Sequence, residues 1–322
     1  MARNLLISGG AGFIGSHLVD RLLSRSGVER VTVVDDLSSG RLGNLAHITD
    51  ARLHVIRADV ARFAGDRRYD EIYHLASPVA PADYMARPVA TIAANVGGAI
   101  NLLGQLAAGG RFCFTSTSEI YGDPAVSPQR EIDVGAGDPA SPRASYVEAK
   151  RCTEALLLGA RASSGVDVRV VRLFNTYGPR MGGGDRRAVP AFIAAALSGA
   201  PVPVHGDGRQ SRSWGYIDDI ADGLARYFWG DAHDHPGPMN LGNDSEVAVI
   251  DIARHVTALC PGATIVHGPA MPDDPRHRCP DLTLCRQLLP GWHAAVDYRE
   301  GIARTIAWAR GEALARLEAI DR

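Results

Sequence analysis

The chain has 322 residues, of which 46% are hydrophobic and 22% charged, with a formal net charge of -2. That length allows a large core and two domains, while the scattered positives exclude a basic surface for nucleic acid. No run of about 18 uncharged apolar residues offers a membrane span. The opening MARNLLISGGAGF reaches glycine too early for a secretory leader, so a cytoplasmic location is expected. The five cysteines (Cys113, Cys152, Cys260, Cys279 and Cys285) show no C-x-x-C spacing and are expected as free thiols. His233 and His235, the nearest histidine pair, sit in DAHDHPGP, which reads as a solvated turn; no metal is expected.

In chain order, short apolar runs alternate with helical patterns. Strands are predicted at NLLIS (4–8), VTVVD (31–35), LHVIR (53–57), EIYHLA (71–76), RFCFT (111–115) and DVRVVRLF (167–174). Helices are predicted over Gly12–Ser24, Thr91–Ala108 and Ser145–Ser164. The alternation predicts an α/β fold with a Rossmann-type, doubly wound parallel sheet. After Tyr177-Gly-Pro-Arg180, proline and glycine punctuate the chain, and a smaller, mixed C-terminal substrate domain is expected. The expected units are residues 1–176 and 177–322, with the chain returning in part to the first around 214–243.

The first strand runs into Ser8-Gly9-Gly10-Ala11-Gly12-Phe13-Ile14-Gly15, satisfying G-x-G-x-x-G from Gly10 and G-x-x-G-x-x-G from Gly9. Such glycines permit a tight turn and close backbone approach to a pyrophosphate, and the next helix turns its N-terminal N–H groups toward the anion. Asp35 ends the second strand, placed to bind both ribose hydroxyls of an adenosine. Its charge would repel a 2′-phosphate, so the expected cofactor is NAD. The loop residues Gly9, Gly12, Phe13, Ile14 and Gly15, together with Asp35, form the core of the expected cofactor site. Asp59 and Val60 after the third strand and Leu75 after the fourth extend it; Asp59 would face the adenine amino group or cap a helix.

Tyr146 and Lys150 lie four residues apart, on one helical face. An unperturbed tyrosine titrates near ~10. A neighbouring ammonium and a positively charged nicotinamide would favour the phenolate. Upstream, TSTSEIYGDP (115–124) follows a strand with four hydroxyl residues and a carboxylate. A hydroxyl at Thr117 or Ser118 would bind the oxygen that Tyr146 deprotonates, completing a Ser/Thr–Tyr–Lys site for hydride transfer, with strand-end capping as the structural alternative.

With these residues assembled, the chain resembles an extended short-chain dehydrogenase/reductase of the UDP-glucuronate decarboxylase (UDP-xylose synthase) family. The resemblance covers nearly the whole chain: GGAGFIGSHL, YHLASP (73–78), TSTSEIYGDP, PRASYVEAKR (142–151), RLFNTYGPRM (172–181), GDGRQSRSWGYIDD (206–219), NLGN (240–243) and DDPRHRCPDLT (273–283). It implies NAD-dependent oxidation at C4 of UDP-glucuronate, loss of CO2 from the β-keto acid, and return of the hydride to give UDP-xylose. It implies Thr117, Ser118, Glu119, Tyr146, Lys150 and Arg276 as catalytic residues, with Arg276 the distant partner of Glu119. Tyr84, Asn175, Arg187, Gln210, Arg212, Tyr216 and Arg276 are the implied substrate contacts, Arg212 for the diphosphate. Arg276 has a structural alternative, an ion pair with Asp273 or Asp274. By the same resemblance the chain forms a homodimer through the stretches 91–108 and 145–164.

The family pattern is not kept throughout. Where its members carry a Tyr-Trp-Gly-Asn-Val-Asn-type run before the catalytic tyrosine and Asp-Glu-Gly after it, this chain reads EIDVGAGDPASPRAS and VEA. These differences border the sugar pocket and allow release of some UDP-4-keto-pentose. The alternatives are a UDP-glucuronate 4-epimerase, which keeps the carboxylate, and a non-catalytic NAD-binding Rossmann protein. A 4,6-dehydratase is disfavoured, because Ser118 stands where that chemistry needs an acid beside the glutamate.

Overall fold

The computed structural model describes residues 2–124, 126–135, 137–182, 185–230, 235, 237–271 and 276–320, with side chains to residue 312. Seven parallel strands form the central sheet: β1 (Arg3–Ser8), β2 (Val28–Asp35), β3 (Leu53–Arg57), β4 (Tyr69–His74), β5 (Leu106–Thr117), β6 (Asp167–Leu173) and β7 (Met239–Leu241). Their order is β7-β6-β5-β4-β1-β2-β3, which reverses direction between β1 and β4. Ligands of doubly wound sheets bind in the crevice opened at such a reversal, beyond the carboxyl ends of the strands. Strands β1, β2, β4 and β5 are runs of Val, Ile, Leu, Phe and Tyr buried on both faces, as helix-covered parallel sheets require.

The predicted strands are all present, but the second predicted helix does not keep its boundaries. The stretch 91–108 opens as a helix at Pro88–Ile92, widens into a π-turn at Ala93–Gly97, and closes at Gly98–Leu103. Leu106-Ala-Ala then joins β5, with Leu106 opposite Tyr69. Its helix-forming composition is overridden by ladder pairing to β4.

Beyond Tyr177 the chain is mixed. Short sheets pair Thr176–Tyr177 with Gly215–Tyr216, Ser211–Ser213 with Glu246–Ala248, and Val202–His205 with Ile265–Gly268. They surround a second core that includes Phe192, Ile193, Val202, Trp214, Ile252 and Val256. Three stretches pack back into the first core: the helix Ile217–Trp229, strand β7, and residues 282–292 through Leu282, Cys285, Leu289 and Trp292. The last of these lies outside the 214–243 return read from the sequence. Among the described residues, no helix is long and apolar enough to cross a membrane, and no three His, Cys, Asp or Glu side chains cluster as a metal site. The five cysteines are free. His233, Asp273 and Asp274 lie outside the described residues.

Candidate active site

The carboxyl ends of β1, β2, β4, β5 and β6 open into one cleft of about 820 Å³ that runs from the glycine loop to the second core. At its first end, Gly9 has a φ of +73°, and a Cβ on Gly15 would stand 2.1 Å from the Gly9 carbonyl oxygen. Only glycine permits this contact, which brings the helix α1 (Phe13–Ser24) against the loop. Gly12 caps α1 without a side-chain hydrogen bond, leaving its first N–H groups for an anion. Asp35 is buried, and its carboxylate accepts N–H bonds from Leu37 at 2.9 Å and Ala11 at 3.0 Å. Burial pushes this carboxyl up while the two N–H groups oppose the shift. A fixed acceptor beside a glycine loop and a free helix N-terminus fits a dinucleotide. Asp59 stands at the rim and accepts from Ala61 N at 2.9 Å, with Val60 and Leu75 further along the wall.

At the centre, β5 ends at Thr117, whose Oγ1 accepts from Glu119 N at 3.2 Å and so caps the single turn Ser118–Tyr121. The capping expected of a strand-end hydroxyl and its position in the cleft therefore coexist. Ser118 is buried beside it. The helix α2 (Ala144–Ser164) carries Tyr146 and Lys150 on its buried face. Tyr84 stacks on Tyr146 with ring centroids 4.9 Å apart and planes 8° apart, fixing the phenol's orientation. Burial pushes the Tyr146 phenol above its ordinary value, opposed by a hydrogen bond to Thr117 and by the Arg187 charge. The Lys150 ammonium donates to Thr115 O at 2.8 Å and lies 5.9 Å from the Tyr146 ring centroid. Burial draws it down to about 7, with Glu154 opposing.

Glu119 lies between two guanidinium groups. Arg143 Nη2 donates to Oε2 at 2.7 Å, and Arg278 Nη1 donates to Oε1. Burial pushes the carboxyl up, but Arg278 and Arg143 outweigh it and hold Glu119 below the usual carboxylate range. Glu119 is therefore an anion. The expected distant arginine is thus corrected: Arg278, not Arg276, meets Glu119. Arg276 is exposed and does not border the cleft; its carbonyl accepts from Ser211 N at 3.0 Å. Two residues further on, the same extended segment passes under the cleft. There Gln129 N donates to Cys279 O at 2.8 Å, Cys279 N to Gln129 Oε1 at 2.9 Å, and Asp281 N to Gln129 O at 2.7 Å.

Toward the second core, Asn175, Arg187, Gln210 and Arg212 line the cleft, as does Tyr84. Arg212 is buried; Arg187 is held by Asp185 through Nε at 3.0 Å and Nη2 at 2.6 Å. Tyr216 is corrected as well. Its ring packs edge-on to Tyr177 and beneath Arg304, away from the cleft, because the Gly215–Tyr216 strand pairs with Thr176–Tyr177 and turns the ring into the core. Sequence reading missed Arg143, Arg278 and Gln129. Arg143 was detectable as the residue one helical turn before Tyr146; Arg278 and Gln129 carried no local signal.

The model of the NAD dependent epimerase/dehydratase family matches residues 5–242. Among curated proteins, UDP-glucuronic acid decarboxylase 1 of Arabidopsis thaliana is 41% identical over 313 residues, spanning 96% of this chain and 70% of its own length. UDP-glucuronic acid decarboxylase 5 of the same plant is 44% identical over 301 residues, spanning 92% and 86%. Among solved structures, the dTDP-glucose 4,6-dehydratase DesIV of Streptomyces venezuelae, with NAD bound, superposes with a TM-score of 0.84 at 27% identity, covering 96% of this chain and 97% of that one.

Proposed function

The chain belongs to the NAD dependent epimerase/dehydratase family, and we propose that within it this protein is a UDP-glucuronate decarboxylase that forms UDP-xylose. The observation that carries the reading is the ionised Glu119 held by two arginines beside Tyr146 and Thr117. The cluster sets one fixed negative charge between two guanidinium groups beside the Tyr146 phenol. The relatives that are 41% and 44% identical support the same activity.

Bound NAD supplies the hydride acceptor, and later the hydride donor, at C4 of the sugar. Thr117 and Ser118 hold the C4 oxygen, and Tyr146 takes its proton as the hydride leaves C4. Lys150 holds the nicotinamide ribose in this reading. The resulting ketone is β to the C6 carboxylate. Cleavage of the C5–C6 bond releases CO2, and its electron pair enters the C4 carbonyl as an enolate. A proton delivered to C5 restores the ketone, and Tyr146 returns its proton to O4 as the hydride comes back. Glu119 and Arg278 flank the face on which the carboxylate leaves. Asp35, Asp59, Val60 and Leu75 with the Gly9–Gly15 loop form the cofactor half, which residues 1–176 supply. Tyr84, Asn175, Arg187, Gln210 and Arg212 receive the UDP-sugar, Arg212 at the diphosphate.

A homodimer is part of the proposal, supported by Val89, Ile92 and Ile100, apolar residues exposed on the helical stretch 88–103. Free cysteines support a cytoplasmic setting. Incubation with NAD and UDP-glucuronate, followed by mass analysis of the products, tests the activity. Loss of CO2 alone is the expected result, and loss of CO2 with two further hydrogens marks escape of the UDP-4-keto-pentose. An unchanged mass overturns decarboxylation. Light scattering on the eluted protein tests the dimer, which a monomer mass would refute.

A further inference from the structure

The sugar end of the cleft carries more positive than negative charge. Arg143 and Arg278 both face Glu119, and all three border the cleft. Arg187, the next guanidinium along the wall, is neutralised by Asp185. Among the described residues, two guanidinium groups stand against one carboxylate there and leave one positive charge uncompensated, with Arg143 26% exposed and Arg278 7% exposed. Placing a net charge in a poorly solvated pocket is costly unless an anion completes it. The missing charge equals that of one more carboxylate.

Arg143 sets that balance. Glu119 with Arg278 alone would make a neutral pair. Arg143 occupies the N-cap position of α2, three residues before Tyr146, so its guanidinium is tied by backbone to the base that defines C4. In a pyranose, C4 and the carboxylate on C5 are neighbours, so a charge anchored beside Tyr146 reaches C6 and not the diphosphate. We propose that Arg143 is the specificity-determining residue that selects a sugar with a C6 carboxylate over its neutral C6-hydroxymethyl counterpart. This rests on the decarboxylase reading of the site. Arg143 holds Glu119 ionised on one side and leaves the site with the charge that a uronate fills.

The test compares binding of UDP-glucuronate, UDP-glucose and UDP to NAD-loaded protein, in a Tyr146→Phe background that prevents turnover. Adding Arg143→Gln is expected to weaken UDP-glucuronate about tenfold or more, the size of one lost charge-assisted contact. UDP-glucose and UDP should change less than about twofold. Arg143→Lys, which keeps the charge, should retain the uronate preference within about threefold. Equal weakening of all three ligands would show that Arg143 only supports the fold, and no change would show that it plays no part; either overturns the inference. Should the Gln variant not fold, loss of the uronate preference in the Lys variant also overturns it. Product mass analysis of the unmutated enzyme, run alongside, isolates the decarboxylase reading. Wild-type CO2 loss with an unselective Arg143→Gln variant defeats this inference alone.

Discussion

Glu119 and Arg278 meet as an ion pair across 159 residues of chain, one on the turn that ends β5 and the other on an extended segment beyond β7. Their pairing ties the turn that ends β5 to a segment that local sequence does not bring near it. It also separates two arginines of the same segment, Arg276 and Arg278, which differ in what they touch.

That separation gives the first prediction. Arg278→Gln should lower the rate of CO2 release by about 100-fold or more, because a charge fixed at the reacting group is lost. Arg276→Gln, at an exposed position outside the cleft, should stay within about threefold of wild type. Steady-state assays of both variants check this. Equal losses would return the role to Arg276.

Tyr146→Phe should abolish hydride transfer, read as the absence of any NADH absorbance or product, while UDP-sugar binding survives within about threefold. The phenol's stacking on Tyr84 involves the ring and not the hydroxyl, so the cleft keeps its shape. Unchanged turnover would remove Tyr146 from the mechanism.

Glu119→Gln leaves Arg143 and Arg278 facing a neutral amide. Removing one member of a largely buried charge cluster costs about 3 kcal/mol, so thermal unfolding at pH 7 should move down by several degrees. The sign with pH follows from a carboxyl held below its unfolded value. Its stabilisation is complete above the unfolded pKa and is lost as pH falls through the folded one. The gap between wild type and variant should therefore narrow in acid.

Lys150 behaves in the opposite sense. Its folded value, about 7, lies below its unfolded one, so the unfolded chain binds more protons between them and stability rises with pH across that window. Lys150→Met should remove activity yet raise the melting temperature of the ligand-free protein at pH 7. The advantage should fade toward pH 10. The gain is tempered by the Thr115 carbonyl, which loses its donor.

Gln129 is buried and does not border the cleft, yet its side chain accepts from Cys279 N, the residue after Arg278. Gln129→Ala leaves that N–H unpaired, at a cost of about 1–3 kcal/mol, and loosens the segment that presents Arg278. The expected result is a kcat lowered about tenfold with KM changed less than about threefold, as a misplaced group at the reacting centre gives. A change confined to KM would place the effect on UDP binding instead.

Much of this protein was determined by local sequence. The Gly9–Gly15 spacing, Asp35 at the end of β2, and Tyr146 with Lys150 on one helical face follow from backbone sterics and helix period, which act over a few residues. Glu119 stands after a strand for the same reason: Thr117 caps its turn. Tertiary structure decided what local rules cannot. Side chains at i and i+2 of an extended segment share a face, so alternation could not choose between Arg276 and Arg278. The depth of the segment in the cleft did, through hydrogen bonds from Gln129 and Ser213 that join distant parts of the chain. The same long-range pairing drew Leu106 into β5 against its helical composition and turned Tyr216 away from the sugar. Lys150 donates to the Thr115 carbonyl, a contact that only the packing of its helix against β5 provides.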